Sequence, residues 1–344
     1  MKAQYRNMGG NFQAGSAGWL LPGRRILLPE PAQANSDRLL SGRPWRYLSS
    51  AFTLIELLVV MAIVGILASM LLPVLSRGKS RAQGVSCVSN GKQMMTAIIM
   101  YTDDNHDFFP PNPDGGNTMP GHNWCSGQAG VGGAAEFNPD ILSDPALSLL
   151  TPYLSGNVSV FHCPTDMRTG LYQGSNPQFI GKIVTAARTF SMNNAVGTIC
   201  PGFDAGTGHS GAPTLSVNGP WLNNQYTHRR DSPWQTFGKL SSVRNPGPST
   251  LWVLLDEDIK DLNDAAYCFG MERPVWYDVP GTYHDFGAGF AYADGHSEIH
   301  RWALRAEKHG WGYNIIDPQD LQDWLWMRER TSGYVGGPMP EPLP

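Results

Sequence analysis

The feature that most constrains this chain is an apolar run from Phe52 to about Leu75. Sixteen residues, from Leu57 to Leu72, pass without a charge. As a helix rising about 1.5 Å per residue, the run would be about 36 Å long, enough to cross a hydrocarbon core of ~30 Å. It is apolar on every face, unlike the one-sided stripe of a helix buried in a soluble core. The run therefore predicts a membrane span over about residues 53–75.

Glu56 is the exception within this run. A carboxylate in the bilayer interior costs about 2.5–3.5 kcal/mol on insertion scales. The residue either reaches the headgroups from the end of the helix or meets a positive partner inside the membrane.

The charge distribution supports an exported, tethered protein. Before Phe52 there are seven Lys/Arg and two Asp/Glu, and because the whole chain carries a net charge of −4, the remainder is strongly acidic. Arg24 and Arg25 favour a cytoplasmic N-terminal part. No basic cluster outside this part is large enough to follow a phosphate backbone, which argues against a nucleic-acid partner.

The stretch Phe52-Thr53-Leu54-Ile55-Glu56, with the apolar run and Pro73 near its end, resembles the signal of type IV pilins and type II secretion pseudopilins. The resemblance implies that a prepilin peptidase cuts between Ala51 and Phe52, removes a cytoplasmic leader of residues 1–51, and methylates the new amine of Phe52. Ala51 departs from the glycine that this family prefers before the cut.

The resemblance also implies a role for Glu56 in assembly. Cleavage leaves an ammonium on Phe52 at the edge of the bilayer. In a bundle of such helices, Glu56 of one subunit would pair with that ammonium on its neighbour, so two charges that are costly alone compensate each other.

Helical spacing continues beyond the span. Pro73 cannot donate its backbone N–H and predicts a kink. A stripe of apolar residues then follows at steps of three and four: Val85, Val88, Met94, Met95, Ile98, Ile99 and Tyr101. We therefore expect one helix over residues 52–105, whose second half packs on a sheet.

Residues 106–344 predict a β-rich domain outside the cytoplasm. The chain holds 39 Gly and 27 Pro, and short apolar runs alternate with long polar stretches, which indicates short strands joined by loops. The predicted fold is α+β, with a transmembrane helix on an antiparallel sheet, as in pilins. Five cysteines allow either two disulfides and one free thiol, in fifteen patterns, or no disulfide: Cys87, Cys125, Cys163, Cys200 and Cys268.

The pair Asp294-Gly295, between alternating residues, predicts a β-hairpin with a two-residue type I′ turn. Such a turn pairs Ala293 with His296. It places Phe290, Tyr292 and Ile299 on the buried face, and His296, Glu298 and His300 on the other.

His284 precedes this pair in the pattern His-x9-Asp-Gly. The pattern resembles the signature of a C-terminal prepilin-associated domain, which makes His284, Asp294 and Gly295 structural markers over residues 284–295. We expect His284 to hydrogen-bond the turn or a neighbouring loop.

The sequence favours neither catalysis nor a defined metal site. Asp256, Asp258, Asp261 and Asp264 form an acidic loop that could bind calcium, but their spacing lacks the glycine and terminal glutamate of an EF-hand. There is no HExxH, G-x-S-x-G or Walker motif. We expect a protein that is not an enzyme and has no catalytic residues.

The interpretation that follows is a structural subunit of a type IV pilus-like or type II secretion pseudopilus assembly. Its expected partners are prepilin peptidase, other pilin-like subunits and the membrane. Its expected location is the bacterial cytoplasmic membrane, with the body in the periplasm or at the cell surface. The alternative is an anchored adhesin or glycan-binding module that forms no filament, which exposed Trp between residues 124 and 234 would favour.

Overall fold

The computed structural model describes residues 53–113, 115, 120–199, 215–226 and 232–343, and the side chains of residues 76 and 77 are not described. By its internal contacts the chain divides into a unit that ends at Val59 and a unit from Val60 to Pro344. The N-terminal boundary of the first helix lies in the former, and all strands lie in the latter.

The first helix, α1, spans Leu54–Asp104 and continues through Pro73. Thr53 precedes it, and its hydroxyl accepts a hydrogen bond from the Glu56 backbone N–H at 3.3 Å. The Glu56 carboxylate accepts in return from the Thr53 backbone N–H at 2.9 Å and from its hydroxyl at 2.7 Å. This reciprocal pair is a capping box, which satisfies two N–H groups at the start of a helix.

The remaining elements are short, as the Gly- and Pro-rich composition predicts. The other α-helices are α2 (Pro139–Ser143) and α3 (Pro318–Thr331). The strands are β1 (Thr169–Leu171), β2 (Ile183–Thr185), β3 (Phe190–Asn193), β4 (Trp252–Asp256), β5 (Ala266–Tyr267), β6 (Val275–Trp276), β7 (Gly287–Tyr292), β8 (Ser297–Arg301) and β9 (Tyr313–Asn314). Single 3-10 turns occupy Thr151–Leu154, Val158–Phe161 and Leu240–Ser242.

Five of these strands form the central sheet, in the order β5-β3-β4-β7-β8. Its pairs are antiparallel except β3 with β5, which run parallel. The sheet is therefore mixed at one edge rather than wholly antiparallel as expected. The long helix and the sheet-rich body are consistent with the predicted α+β class.

The central sheet is covered on both faces. On one face, α1 approaches so closely that a Cβ on Gly91 would lie 2.8 Å from the Ser297 hydroxyl oxygen. On the other face, Trp326 of α3 lies 5.2 Å from Phe290, measured between ring centroids. Because side chains alternate along a strand, neighbouring residues of β7 pack against different helices, and all six are buried.

The packing face of α1 is partly as predicted. Met94, Met95 and Ile98 are fully buried, and Ile99 and Tyr101 pack against the core as half-buried residues. Nearer the membrane segment Val88 is half-buried, but the prediction is wrong for Val85, which is 70% exposed. The buried positions there are the small residues Gly84, Cys87 and Gly91.

The hairpin between β7 and β8 exists, but its predicted register is wrong by one residue. Ala291 pairs with Ser297, and Phe290 with Glu298. The Gly295 N–H donates to the Tyr292 carbonyl at 2.9 Å, and Gly295 adopts φ +94°. The loop therefore has three residues, 293–295, and ends in a glycine with positive φ. Three-residue loops of this kind are the most common hairpin connection after the two-residue turns.

The shifted register changes which side chains share a face. Ile299 lies opposite Gly289 and points towards α1, where a Cβ on Gly84 would come within 2.8 Å of it. Glu298 and His300 instead share the α3 face with Phe290. The predicted grouping of Ile299 with Phe290 is therefore wrong.

Candidate functional site

Two regions of the described chain carry functional side chains, and the first is the apolar segment, residues 54–75 of α1. Each of these residues is exposed, from Val60 at 47% to Leu54 at 80% among the large apolar ones. In the part of the chain that the structure describes, α1 is the one helix long and apolar enough to cross a membrane. Exposed apolar area on this scale indicates a surface that is covered by lipid or by protein.

The predicted processing site adjoins this segment. Ala51, Phe52 and the leader of residues 1–51 lie outside the described residues, so the cleavage position stays a prediction. Glu56 is exposed, and its contacts are those of the capping box with Thr53. Pro73 lies inside the helix, and the kink expected there also stays a prediction.

The second region is a buried polar cluster of Cys87, Cys163, Asp256 and His284. All four side chains are buried, and one potential ligand atom from each lies within 4.8 Å of the other three. Cys87 Sγ lies 3.4 Å from Asp256 Oδ2, and His284 Nε2 lies 3.1 Å from the same oxygen. His284 Nε2 also lies 3.3 Å from Cys163 Sγ.

Four separate elements supply the buried polar cluster. Cys87 is on the sheet-facing side of α1, and Asp256 is the last residue of β4. Cys163 follows the 3-10 turn that ends at Phe161, and His284 lies in the loop before β7. The four atoms therefore meet between α1 and the C-terminal end of β4.

Neighbouring groups hold these side chains in place. The Gly289 N–H donates to Asp256 Oδ1 at 2.8 Å, and the Thr165 hydroxyl lies 2.8 Å from Cys163 Sγ. A Cβ on Gly289 would lie 2.8 Å from Cys87 Sγ. Only glycine at this position leaves room for the thiol beside the strand.

The electrostatics of the cluster favour a thiolate at Cys163 but not at Cys87, whose pKa is raised by its hydrogen bond to Cys163, by burial and by the charge of Asp256. The hydrogen bond from the Cys87 thiol lowers the pKa of Cys163, against the effect of burial, and the bond from His284 lowers it further. Burial alone would lower the pKa of His284, but its hydrogen bonds to Asp256 and Cys163 raise that pKa to about 10. Asp256 and Cys163 thus present negative charge to His284.

The structure decides between the two expected partners of His284. Its side chain does not bond the Asp294-Gly295 turn but contacts Cys163, in a neighbouring loop as the second alternative predicts, and Asp256 at the end of β4. Asp294 pairs instead with His296, with 2.5 Å between Oδ1 and Nδ1. The three markers of the His-x9-Asp-Gly pattern therefore do not form one contact group.

The four calcium candidates do not converge in the described part of the chain. Asp256 alone belongs to a group of potential metal ligands, and its companions are not the other candidates. Asp258 accepts the Lys260 N–H at 2.9 Å, and Asp264 accepts the Ala266 N–H at 3.0 Å. These carboxylates stabilise the loop after β4.

Sequence reasoning missed Cys87 and Cys163 as members of a site. Cys87, Cys125 and Cys163 are free thiols, so none of the two-disulfide patterns is present, and Cys200 lies outside the described residues. The available signal was weak: a cysteine on the helix stripe and an aspartate that ends an apolar strand.

Comparisons with known proteins bear on the first region. Residues 47–72 match the family described as Prokaryotic N-terminal methylation motif. The chain is 40% identical to the type II secretion system core protein G of Escherichia coli (strain K12) over 57 residues, which are 17% of this chain and 39% of that protein. The match thus spans about two fifths of that relative's length. No solved structure matches the chain.

These findings confirm the prepilin-type N-terminal motif and a similarity to a type II secretion pseudopilin over a short N-terminal stretch. Together with the exposed apolar helix they indicate membrane anchoring through a prepilin-type N-terminal segment.

Proposed function

We propose that the chain is a structural subunit of a type IV pilus-like or type II secretion pseudopilus assembly, which polymerises through α1 after prepilin peptidase removes residues 1–51. The observation that carries the proposal is the apolar segment, exposed along its whole length and overlapping the methylation motif at residues 47–72. The body would lie in the periplasm or at the cell surface. No residue is assigned a catalytic role.

The contacts of Glu56 support a two-part role in assembly. Its capping box with Thr53 stabilises the start of α1 at Leu54, two residues after the proposed new terminus at Phe52. Its charge remains available to the ammonium of a neighbouring subunit. The two roles can be separated, because glutamine also completes a capping box whereas alanine does not.

The test is crosslinking in membranes of the parent, Glu56→Gln and Glu56→Ala. Both variants should insert, since each removes a charge from an apolar helix, and both should be cut before Phe52. We expect multimers for the parent and monomers for both variants, because breaking a buried ion pair costs about 3–5 kcal/mol. Only Glu56→Ala should also fray the helix start.

Glu307→Gln is the matched control, because it makes the same chemical change on an exposed side chain of the body. It should multimerise like the parent. If Glu56→Gln multimerises equally well, the charge has no role in assembly. An intact leader in the membrane-bound protein, found by mass spectrometry, would contradict the proposed processing.

One surface feature favours the anchored binding module as a second candidate. Trp124 and Trp234 are buried, but half-buried Trp221 packs against Tyr277 in a tilted arrangement and against Trp311 edge to face, at centroid distances of 4.7 and 5.1 Å. Trp311 is 53% exposed. Binding of the full chain to a glycan array, lost in Trp311→Ala with multimerisation unchanged, would support this function.

A further inference from the structure

In the buried polar cluster, one imidazole nitrogen is shared between two neighbours. His284 Nε2 faces both Asp256 Oδ2 and Cys163 Sγ, at 3.1 and 3.3 Å. A ring nitrogen carries one proton or one lone pair, so it cannot serve both neighbours well. Asp256 Oδ2 also faces Cys87, whose thiol is a weak donor. Four atoms that can each bind a metal thus converge at one buried point.

A cation at that point would satisfy all four atoms. Zinc takes four ligands in a tetrahedron, with bonds of about 2.3 Å to sulfur and about 2.0–2.2 Å to nitrogen and oxygen. Those bond lengths place neighbouring ligand atoms about 3.4–3.8 Å apart. Three of the six separations are 3.1, 3.3 and 3.4 Å, and all six are within 4.8 Å, so shifts of no more than about 1 Å would complete the tetrahedron.

We propose that Cys87, Cys163, Asp256 and His284 form a structural zinc site that joins α1 to the central sheet. Two sulfurs and one imidazole select a borderline-soft metal over calcium or magnesium, which prefer all-oxygen sites. Four protein ligands in a fully buried pocket leave no position for water or substrate, which is the pattern of a structural rather than a catalytic site.

The surroundings suit such a site. The Gly289 N–H orients the aspartate and the Thr165 hydroxyl contacts a cysteine sulfur, the kind of outer contacts that metal ligands use. Two thiolates and a carboxylate would bind a dipositive ion with one net negative charge, which these two donors would stabilise. The absence of a Cβ at Gly289 keeps the space beside Cys87 open.

Bound zinc would have a defined mechanical effect. The ligands come from a helix, a loop, a strand end and a second loop, spread from residue 87 to residue 284. Binding would fix the sheet-facing half of α1 against β4 and β7. The site would be present whether or not the helix enters a filament.

The test is the metal content of the full chain, extracted from membranes in detergent and purified under a phosphine reductant without chelators or a polyhistidine tag. We expect about one zinc ion per chain. Cys163→Ser should lose the metal, because one ligand sulfur is replaced by oxygen. Cys125→Ser is the matched control, since Cys125 is also a buried free thiol but lies outside the cluster, and it should keep the metal.

A measurement on the parent protein keeps the proposal testable if Cys163→Ser fails to fold. Cobalt(II) replacing zinc should give thiolate-to-metal charge-transfer bands and the visible bands of a tetrahedral ion. A reduced parent protein that neither contains zinc nor takes up zinc or cobalt would overturn the proposal. So would a Cys87–Cys163 disulfide in protein whose thiols are blocked at cell lysis.

Discussion

Lys308 is the side chain whose removal should damage the body most clearly. It is fully buried and donates to Asp320 Oδ1 at 2.7 Å and to Asp323 Oδ2 at 2.9 Å. Its ammonium also lies 5.1 Å from the ring centroid of Trp276 and 4.9 Å from that of Trp302. One cation thus holds the first turns of α3 against the sheet.

Lys308→Met keeps most of the side-chain volume and removes the charge. Asp320 would keep the Trp276 N–H, and Asp323 would keep the backbone N–H groups of residues 303 and 304. Both carboxylates would nevertheless be buried without a cation. Breaking a buried pair typically costs about 3–5 kcal/mol, and for a body of this size that corresponds to a fall of roughly 10 °C in melting temperature.

The assay is thermal unfolding of the detergent-solubilised chain, followed by the fluorescence of its 11 tryptophans, which include Trp276 and Trp302 beside Lys308. Lys260→Met is the matched control: its pair with Glu307 is about 70% exposed on both side chains, so its loss should cost less than about 1 kcal/mol. Adding Asp320→Asn and Asp323→Asn to Lys308→Met should recover part of the loss. If Lys308→Met melts within about 2 °C of the parent, the ion pairs do not stabilise the docking of α3.

Two further predictions follow from single residues. Burial, with Arg330 and Lys308 nearby, lowers the pKa of His300 to about 4, although Glu298 opposes the shift. Since the unfolded value is about 6.5, His300 contributes stability that is present above pH ~6.5 and is lost as the pH falls towards 4. The melting temperature of His300→Phe should therefore fall less between pH 7 and pH 4.5 than that of the parent. Gly295→Ala should destabilise the body by about 1–2 kcal/mol in thermal melts, because Gly295 has φ +94°. Gly247→Ala is the control and should leave the stability unchanged, because no atom lies within 4 Å of the new Cβ. Equal effects of the two changes would contradict the turn assignment.

The anchor segment could be predicted from sequence because its signal is local. Apolar character over residues 54–75 and the carboxylate at Glu56 are read from neighbouring residues, and the match at residues 47–72 confirms the prepilin-type motif. The capping box is equally local, since Thr53 and Glu56 have the spacing that defines it.

The hairpin register could not be fixed in the same way. Alternation sets register only where one face of a strand is buried and the other is solvated. All six residues of β7 are buried, because α1 and α3 cover the two faces. Asp294-Gly295 fits both a two-residue and a three-residue loop, so nothing local separated the two registers.

The buried polar cluster forms where α1 packs on the sheet, and this contact could not be predicted from the positions of the large apolar residues. A stripe drawn through bulky side chains selects Val85, which is 70% exposed, whereas the sheet-facing residues are Gly84, Cys87 and Gly91. Small side chains let α1 approach the strands, as the 2.8 Å separations from a Cβ built at either glycine to Ile299 and Ser297 show. That close approach brings Cys87 Sγ to 3.4 Å from Asp256. Gly84, Cys87 and Gly91 are too small to mark the packing face of α1 in a search for bulky apolar residues. The same small residues allow the close approach that forms the buried polar cluster.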